Sequence, residues 1–204
     1  MSLQVDTPCL VLASASAARR SLLEAAGLRF EAVAAGVDEA ALKQQARAAG
    51  LDPAGAALML ADAKARQVAE HHPAALVIGC DQLLACDGRW FDKPADHNEA
   101  RAHLLALRGR THTLVTAALC RRGGQVLWRN LSQPRLTMRG FSDAFLETYL
   151  ALEAGHVATT VGAYRLEGPG IHLFAAVEGE HAAILGLPLL ALLDFLRRQG
   201  VLAR

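Results

Sequence analysis

The sequence has almost no net charge: 21 Lys and Arg stand against 20 Asp and Glu, a formal balance of +1. No overall field is available to capture a nucleic-acid backbone, so any anion site must be local. The basic pairs Arg121-Arg122 and Arg197-Arg198 have no aromatic residues interleaved with them and form no platform for a nucleic-acid polymer. Cysteine is scarce too. Cys9, Cys80, Cys86 and Cys120 show no CxxC spacing and three lie within or beside apolar runs, which argues for buried, reduced thiols rather than a disulfide framework. Apolar runs break well before the ~18 residues of a membrane span, and Met1 to Leu12 has neither a basic start nor a cleavage pattern. The expected setting is therefore cytoplasmic, with no membrane partner. HExxH is absent, as are GxSxG, GxGxxG and the Walker pattern, so zinc-protease, serine-hydrolase and dinucleotide-binding readings lack their usual signals. His71-His72, the most obvious histidine pair, falls at a helix end with the rings directed apart and reads as surface.

What is present is a chain of 204 residues, 52% hydrophobic and 20% charged, enough to bury a substantial core as one domain over residues 1–204. A short apolar strand, Leu10 to Ala13, runs into Ser14-Ala15-Ser16 and a helical pattern that Gly27 stops. Phe30 to Ala34 is extended; Gly36 to Glu39 leads into a polar stretch; Pro53 opens an Ala-rich helix ending near His71, with Asp62 and Arg66 as an i, i+4 pair. ALVIG, residues 75–79, reads as a strand covered on both faces and ending at Cys80-Asp81. Asp87-Gly88 and Gly123-Gly124 mark hairpins, Asp96-x-x-Glu99 a capping box, and Ser142 a helix start. Strands are expected over Leu131 to Arg139, Tyr164 to Glu167 and Ile171 to Val177, before a terminal helix from Pro188 to Gly200. Alternating helices, strands and hairpins give an α/β class with a mixed sheet.

Several residues can carry chemistry. The first amides of the helix after Ser16, with Arg19 in its first turn, can bind a phosphate; a plain serine cap beside a solvated arginine explains the same letters. Asp81, directly after an apolar strand, can hold a metal or activate water, or can be satisfied by loop amides. Pro94 holds Lys93 extended, which can aim its ammonium. Lys64 rises from an apolar helical stripe formed with Ala57, Leu60, Ala61 and Val68, and snorkelling to the helix edge is the ordinary reading. Glu39 and Glu167 carry no signal when taken singly.

Taken in order, LVLASASAARRSLLEAAGLRFE, VDE, LADAKA, VIGCDQLLACDGRWFDKP, LRGRTHTL, YRLEGPGI and LGLPL resemble the Maf family of nucleoside triphosphate pyrophosphatases over most of the chain. The resemblance implies two lobes around a cleft, as in inosine triphosphate pyrophosphatase. It also implies hydrolysis of a nucleoside triphosphate to monophosphate and pyrophosphate, a house-cleaning activity aided by a divalent cation, Mg²⁺ or Mn²⁺. Ser14, Ser16 and Arg19 match the family's phosphate loop, Glu39 and Asp81 its acidic pair, Lys64 and Lys93 its basic groups, and Glu167 a polar position late in the chain. On that match Asp81 is catalytic and a metal ligand with Glu39, while the serines, Arg19, Lys64, Gln82, Lys93 and Glu167 meet substrate. Ala17 and Ala18 replace the usual proline and first arginine. Asp81-Gln82, one arginine only and the EGxGI pattern look like the 7-methyl-GTP branch, which shifts the expected substrate towards a modified or purine nucleotide. A nucleotide-binding regulator of septum formation without turnover is the rival reading, a phosphomonoesterase a third, and a homodimer is left open.

Overall fold

The computed structural model describes residues 3–203. Its elements in chain order are β1 (Leu10–Ala13), α1 (Ala17–Ala25), β2 (Glu31–Ala32), α2 (Glu39–Ala48), α3 (Pro53–His71), β3 (Leu76–Cys86), β4 (Arg89–Phe91) and α4 (His97–Leu107). There follow β5 (Thr111–Arg122), β6 (Gln125–Ser132), β7 (Arg135–Met138), α5 (Asp143–Leu152), β8 (Phe174–Glu178), α6 (His181–Ile184) and α7 (Leu189–Arg198). The strands form one mixed sheet in the order β2-β1-β3-β5-β7-β8, with β4 on β3 and β6 on β5. Pairing of β1 with both β2 and β3 is parallel, and the remaining characterised pairs are antiparallel. The class is α/β.

Two compact units divide the chain: residues 3–81, 116–132 and 181–203 in the first, and 82–115 with 133–180 in the second. In the first unit, Leu10, Leu12, Leu76 and Ile78 from the parallel strands pack with Leu23 of α1 and Leu192, Phe195 and Leu196 of α7. Each such side chain, fully buried, stabilises by roughly 1.5–3 kcal/mol before conformational entropy is charged against it. Trp128 stacks on Phe195 with ring centroids 5.4 Å apart. The second unit buries Leu104 and Leu107 of α4 and Leu146, Tyr149 and Leu150 of α5, together with Leu136 and Leu173. Its buried His112 meets the Tyr164 hydroxyl at 2.7 Å.

Local signals explain most boundaries. Ser16 caps α1, Asp52 caps α3 and Ser142 caps α5, each accepting a hydrogen bond from the amide three residues on. Asp87 and Gly88 have φ of 49° and 76°, the pair of positive values a two-residue hairpin turn needs.

Several expectations are corrected, among them the single strand over Leu131 to Arg139, which is broken around Pro134 into the end of β6 at Ser132 and β7 from Arg135. The polar stretch after Gly36 is a helix, α2, because Asp38 caps it through the Ala41 amide at 2.9 Å and Ala, Leu, Lys, Gln and Arg are good helix formers whatever their polarity. The apolar strand does not end at Asp81 but continues to Cys86, since its second half gains β4 as an antiparallel partner. Tyr164 to Glu167 is not a strand, and Pro169–Leu173 is a 3₁₀ turn, leaving only Phe174–Glu178 extended. Asp62 pairs with Arg121 at 2.5 Å, a partner far away in sequence, instead of the expected Arg66. Of the thiols, Cys80, Cys86 and Cys120 are buried as expected, whereas Cys9 is exposed; all four are free.

Candidate active site

Three parallel strands deliver the site. β1 and β3 are in register from Leu10↔Leu76 to Ala13↔Gly79, so the chain leaving β1 at Ser14 runs beside Cys80 and Asp81. Beyond β2, on the other side of β1, the chain reaches Asp38 and α2, whose first residue is Glu39. Crevices at the carboxyl ends of parallel strands are where α/β proteins bind ligands.

Close packing of α3 on β3 fixes the central group. A methyl added to Gly79 would come within 2.3 Å of the Ala61 carbonyl oxygen and 2.7 Å of the Ala65 Cβ, so the helix lies against bare backbone. Lys64, between those two alanines, therefore does not snorkel. It is buried, its Nζ donating to Asp81 Oδ1 at 2.6 Å and lying 2.7 Å from Glu39 Oε1. The physical reason is that a buried ammonium needs anionic partners, and both carboxylates meet it. The Asp81 side chain is only 6% exposed, that of Glu39 47%. Asp81 Oδ2 is buried without any hydrogen-bond partner. An ionised carboxylate oxygen left bare in the interior is costly, so this atom marks a place for a proton donor or a cation.

The serine loop is equally organised. Buried Ser14 accepts from the Ser16 amide and from Arg19 Nη1, each at 3.2 Å, and Ser16 Oγ caps the Arg19 amide. Arg19 Nε donates to the Gly186 carbonyl at 2.8 Å. Gly186 has φ of 101°, and a Cβ there would stand 3.1 Å from Arg19 Nε. The guanidinium is thus aimed by a residue of the late GLP motif, which sequence reasoning quoted without a role. Cys80 joins the two clusters. Burial pushes its thiol up to about 11, opposed by the charges of Arg19 and Lys64 and reinforced by that of Asp81.

Gln82, Lys93 and Glu167 belong to the second unit. Strand alternation turns the Gln82 side chain to the face of β3 opposite that of Asp81. Lys93 is exposed in the loop after β4. Glu167 is exposed on a segment clamped by two features that sequence reasoning missed. Arg165 makes a bidentate pair with buried Glu153, both N···O distances being 2.9 Å, and a Cβ on Gly170 would lie 2.3 Å from the Arg165 carbonyl oxygen. Among the described residues no three His, Cys, Asp or Glu side chains group closely enough to ligate one ion together. Two carboxylates are what the first unit offers, and Mg²⁺ is commonly held by one or two carboxylates with phosphate and water completing the shell.

The Maf-like protein family matches residues 9–199. This chain belongs to that family. It is 52% identical over 193 residues to a nucleoside triphosphate pyrophosphatase of Granulibacter bethesdensis, covering 95% of this chain and 98% of the relative. A Rhodospirillum rubrum protein of the same name is 52% identical over 195 residues, 96% of each chain. A 7-methyl-GTP pyrophosphatase of Rhizobium meliloti is 49% identical over 195 residues, 96% of this chain and 98% of the relative. The Maf motifs on this chain are thus tied to a defined geometry in the first unit: the SxS-arginine loop, the VDE glutamate, the helical lysine and the β3 aspartate. Among the described residues no helix is long and apolar enough to cross a membrane.

Proposed function

We propose that this Maf-family chain is a nucleoside triphosphate pyrophosphatase that converts a triphosphate and water to the monophosphate and pyrophosphate. The observation that carries this reading is the buried Asp81, with Oδ1 on Lys64 and Oδ2 bare, which the β1–β3 register sets beside the start of the Ser14 to Arg19 loop. The Ser14 to Arg19 loop offers helix-terminal amides and a guanidinium already oriented by Gly186, a combination suited to phosphate oxygens. Lys64 supplies a second positive charge. Asp81 accepts a proton from the attacking water as oxygen adds to the α-phosphorus, and the bond to the α–β bridging oxygen breaks so that pyrophosphate leaves. Glu39 and Asp81 are the residues that would hold Mg²⁺ or Mn²⁺, which when bound supplies neutralisation of phosphate charge. The bare Asp81 oxygen fits such an ion.

The sequence resemblance carries the assignment of Gln82, Lys93 and Glu167 to substrate, with Glu167 and Gln82 favouring a base that donates hydrogen bonds, such as 7-methylguanine. An ionised carboxylate only accepts, and the amino and N1 edge of guanine offers two donors.

A product-resolved screen of nucleotides with Mg²⁺ or Mn²⁺ tests the reading. Pyrophosphate release from at least one triphosphate, nearly abolished in a folded Asp81→Asn variant, is expected. Binding without product would favour the regulator, and orthophosphate in place of pyrophosphate the phosphomonoesterase. Near-native turnover by Asp81→Asn would remove Asp81 from catalysis.

A further inference from the structure

One ammonium occupies both residues assigned to the cation. Lys64 Nζ stands 2.6 Å from Asp81 Oδ1 and 2.7 Å from Glu39 Oε1, and its side chain is 9% exposed. Around it α3 is apolar or small, with Leu60, Ala61, Ala65 and Val68 all buried. The lysine needs these carboxylates as much as they need it, because an unpaired buried ammonium is expensive. A divalent ion drawing on both carboxylates must do so next to a fixed positive charge, and it leaves that charge short of partners unless another anion arrives. A triphosphate is such an anion.

Resting on the metal reading above, we propose that Lys64 is the chain's own counter-cation and makes metal loading depend on the nucleotide. Without nucleotide, Lys64 holds Glu39 Oε1 and Asp81 Oδ1, and beside its charge a divalent ion binds the remaining Asp81 oxygen weakly. With nucleotide, the phosphate chain takes over the ammonium, the carboxylates are freed, and ion and triphosphate load together. The coupling is reciprocal, since two ligands that each relieve the other's cost raise one another's affinity by the same factor.

The test is Mn²⁺ binding to the full chain, measured by calorimetry and by the loss of the free-ion signal in electron paramagnetic resonance, with and without a non-hydrolysable α,β-methylene triphosphate. Lys64→Met removes the charge while keeping most of the side-chain volume, and Lys64→Gln keeps a polar head should the first variant fold poorly by circular dichroism. In the absence of nucleotide, either variant is expected to bind Mn²⁺ on the order of tenfold more tightly than wild type, because repulsion from a unit charge beside both ligands is gone. The gain in Mn²⁺ affinity on adding the analogue should be large in wild type and small in the variants. Unchanged or weaker Mn²⁺ binding in a folded variant, with the analogue's effect intact, overturns the proposal. Asp81→Asn separates the two levels: it should lose the Mn²⁺ site, and if it binds Mn²⁺ as wild type does, the metal reading itself is overturned and the Lys64 proposal with it.

Discussion

Gly79→Ala probes how the fold places Lys64. The substitution adds one methyl to β3 at a point where 2.3 Å separates it from the Ala61 carbonyl oxygen and 2.7 Å from the Ala65 Cβ. Real Cβ atoms do not approach so closely, so α3 must move outward or β3 must shift. Overpacking of this kind costs typically 1–3 kcal/mol. Removing a glycine from the unfolded chain returns about 0.4–1 kcal/mol, which offsets part of that cost. A net loss of about 1–2 kcal/mol is expected, and with a slope of about 2 kcal/mol per M in urea the midpoint falls by roughly 0.5–1 M. Turnover should fall by more than stability implies, because Lys64 lies on the helical turn that moves and its 2.6 Å bond to Asp81 lengthens. Adding Ala65→Gly relieves the side-chain contact but not the carbonyl one, so rescue should be partial. Urea titration and steady-state kinetics on the single and double variants are the assays. A Gly79→Ala protein with an unchanged or higher midpoint and full turnover would refute the claim that backbone contact between α3 and β3 sets the site.

Gly186→Ala crowds Arg19 Nε at 3.1 Å in a backbone of φ 101°, so it should mimic Arg19→Ala in weakening triphosphate binding; a charge-assisted contact of ~1.5–3 kcal/mol corresponds to roughly 10- to 100-fold. Monophosphate affinity should change less, and equal losses for both ligands would separate Arg19 from the triphosphate chain. His112 supplies a pH test: burial lowers its folded pKa to about 4, below the ordinary 6.5, so the unfolded chain binds more protons in between and stability falls as pH drops from about 6.5 towards 4. The full effect is up to about 3 kcal/mol, and urea midpoints for wild type and His112→Phe across that window should converge as pH falls. Parallel curves would show that His112 does not contribute. Glu167→Gln should lower the ratio of kcat/KM for 7-methyl-GTP and GTP over UTP and dTTP, and an unchanged ratio means Glu167 does not read the base.

Features written locally in the chain were legible. Leu10 to Ala13, the Ser16 cap and Gly27 are close in sequence, and each acts on its immediate neighbours. The resemblance supplied the residues of the charged cluster, but not their arrangement. Lys64 reads as a snorkelling side chain because the partner that buries it, Asp81, is 17 residues away. Gly186 carries no role of its own within LGLPL, although its carbonyl orients an arginine 167 residues earlier. The Asp87-Gly88 hairpin was legible and joins β3 to β4, but Asp81 looked terminal to its strand because the run ALVIG stops there, and nothing local shows that the hairpin's first strand continues that run without a break. The apolar side of α2, Leu42 and Ala46, is narrow and set among polar residues, so the segment was noticed only as a polar stretch although its cap and helix-forming composition mark a helix.

Carrying Asp81 on β3, which lies between β1 and β5, gives the acidic pair unequal mobility. Interior strand amides exchange with solvent only in large openings, whereas the first turn of a helix frays readily. Glu39, half-exposed in the opening turn of α2, is therefore expected to lose its contact with Lys64 before Asp81 does. Mild denaturant or rising temperature should accordingly loosen the Glu39 side of the Lys64 cluster first, giving a window in which the sheet is intact and Asp81 alone still holds the buried ammonium.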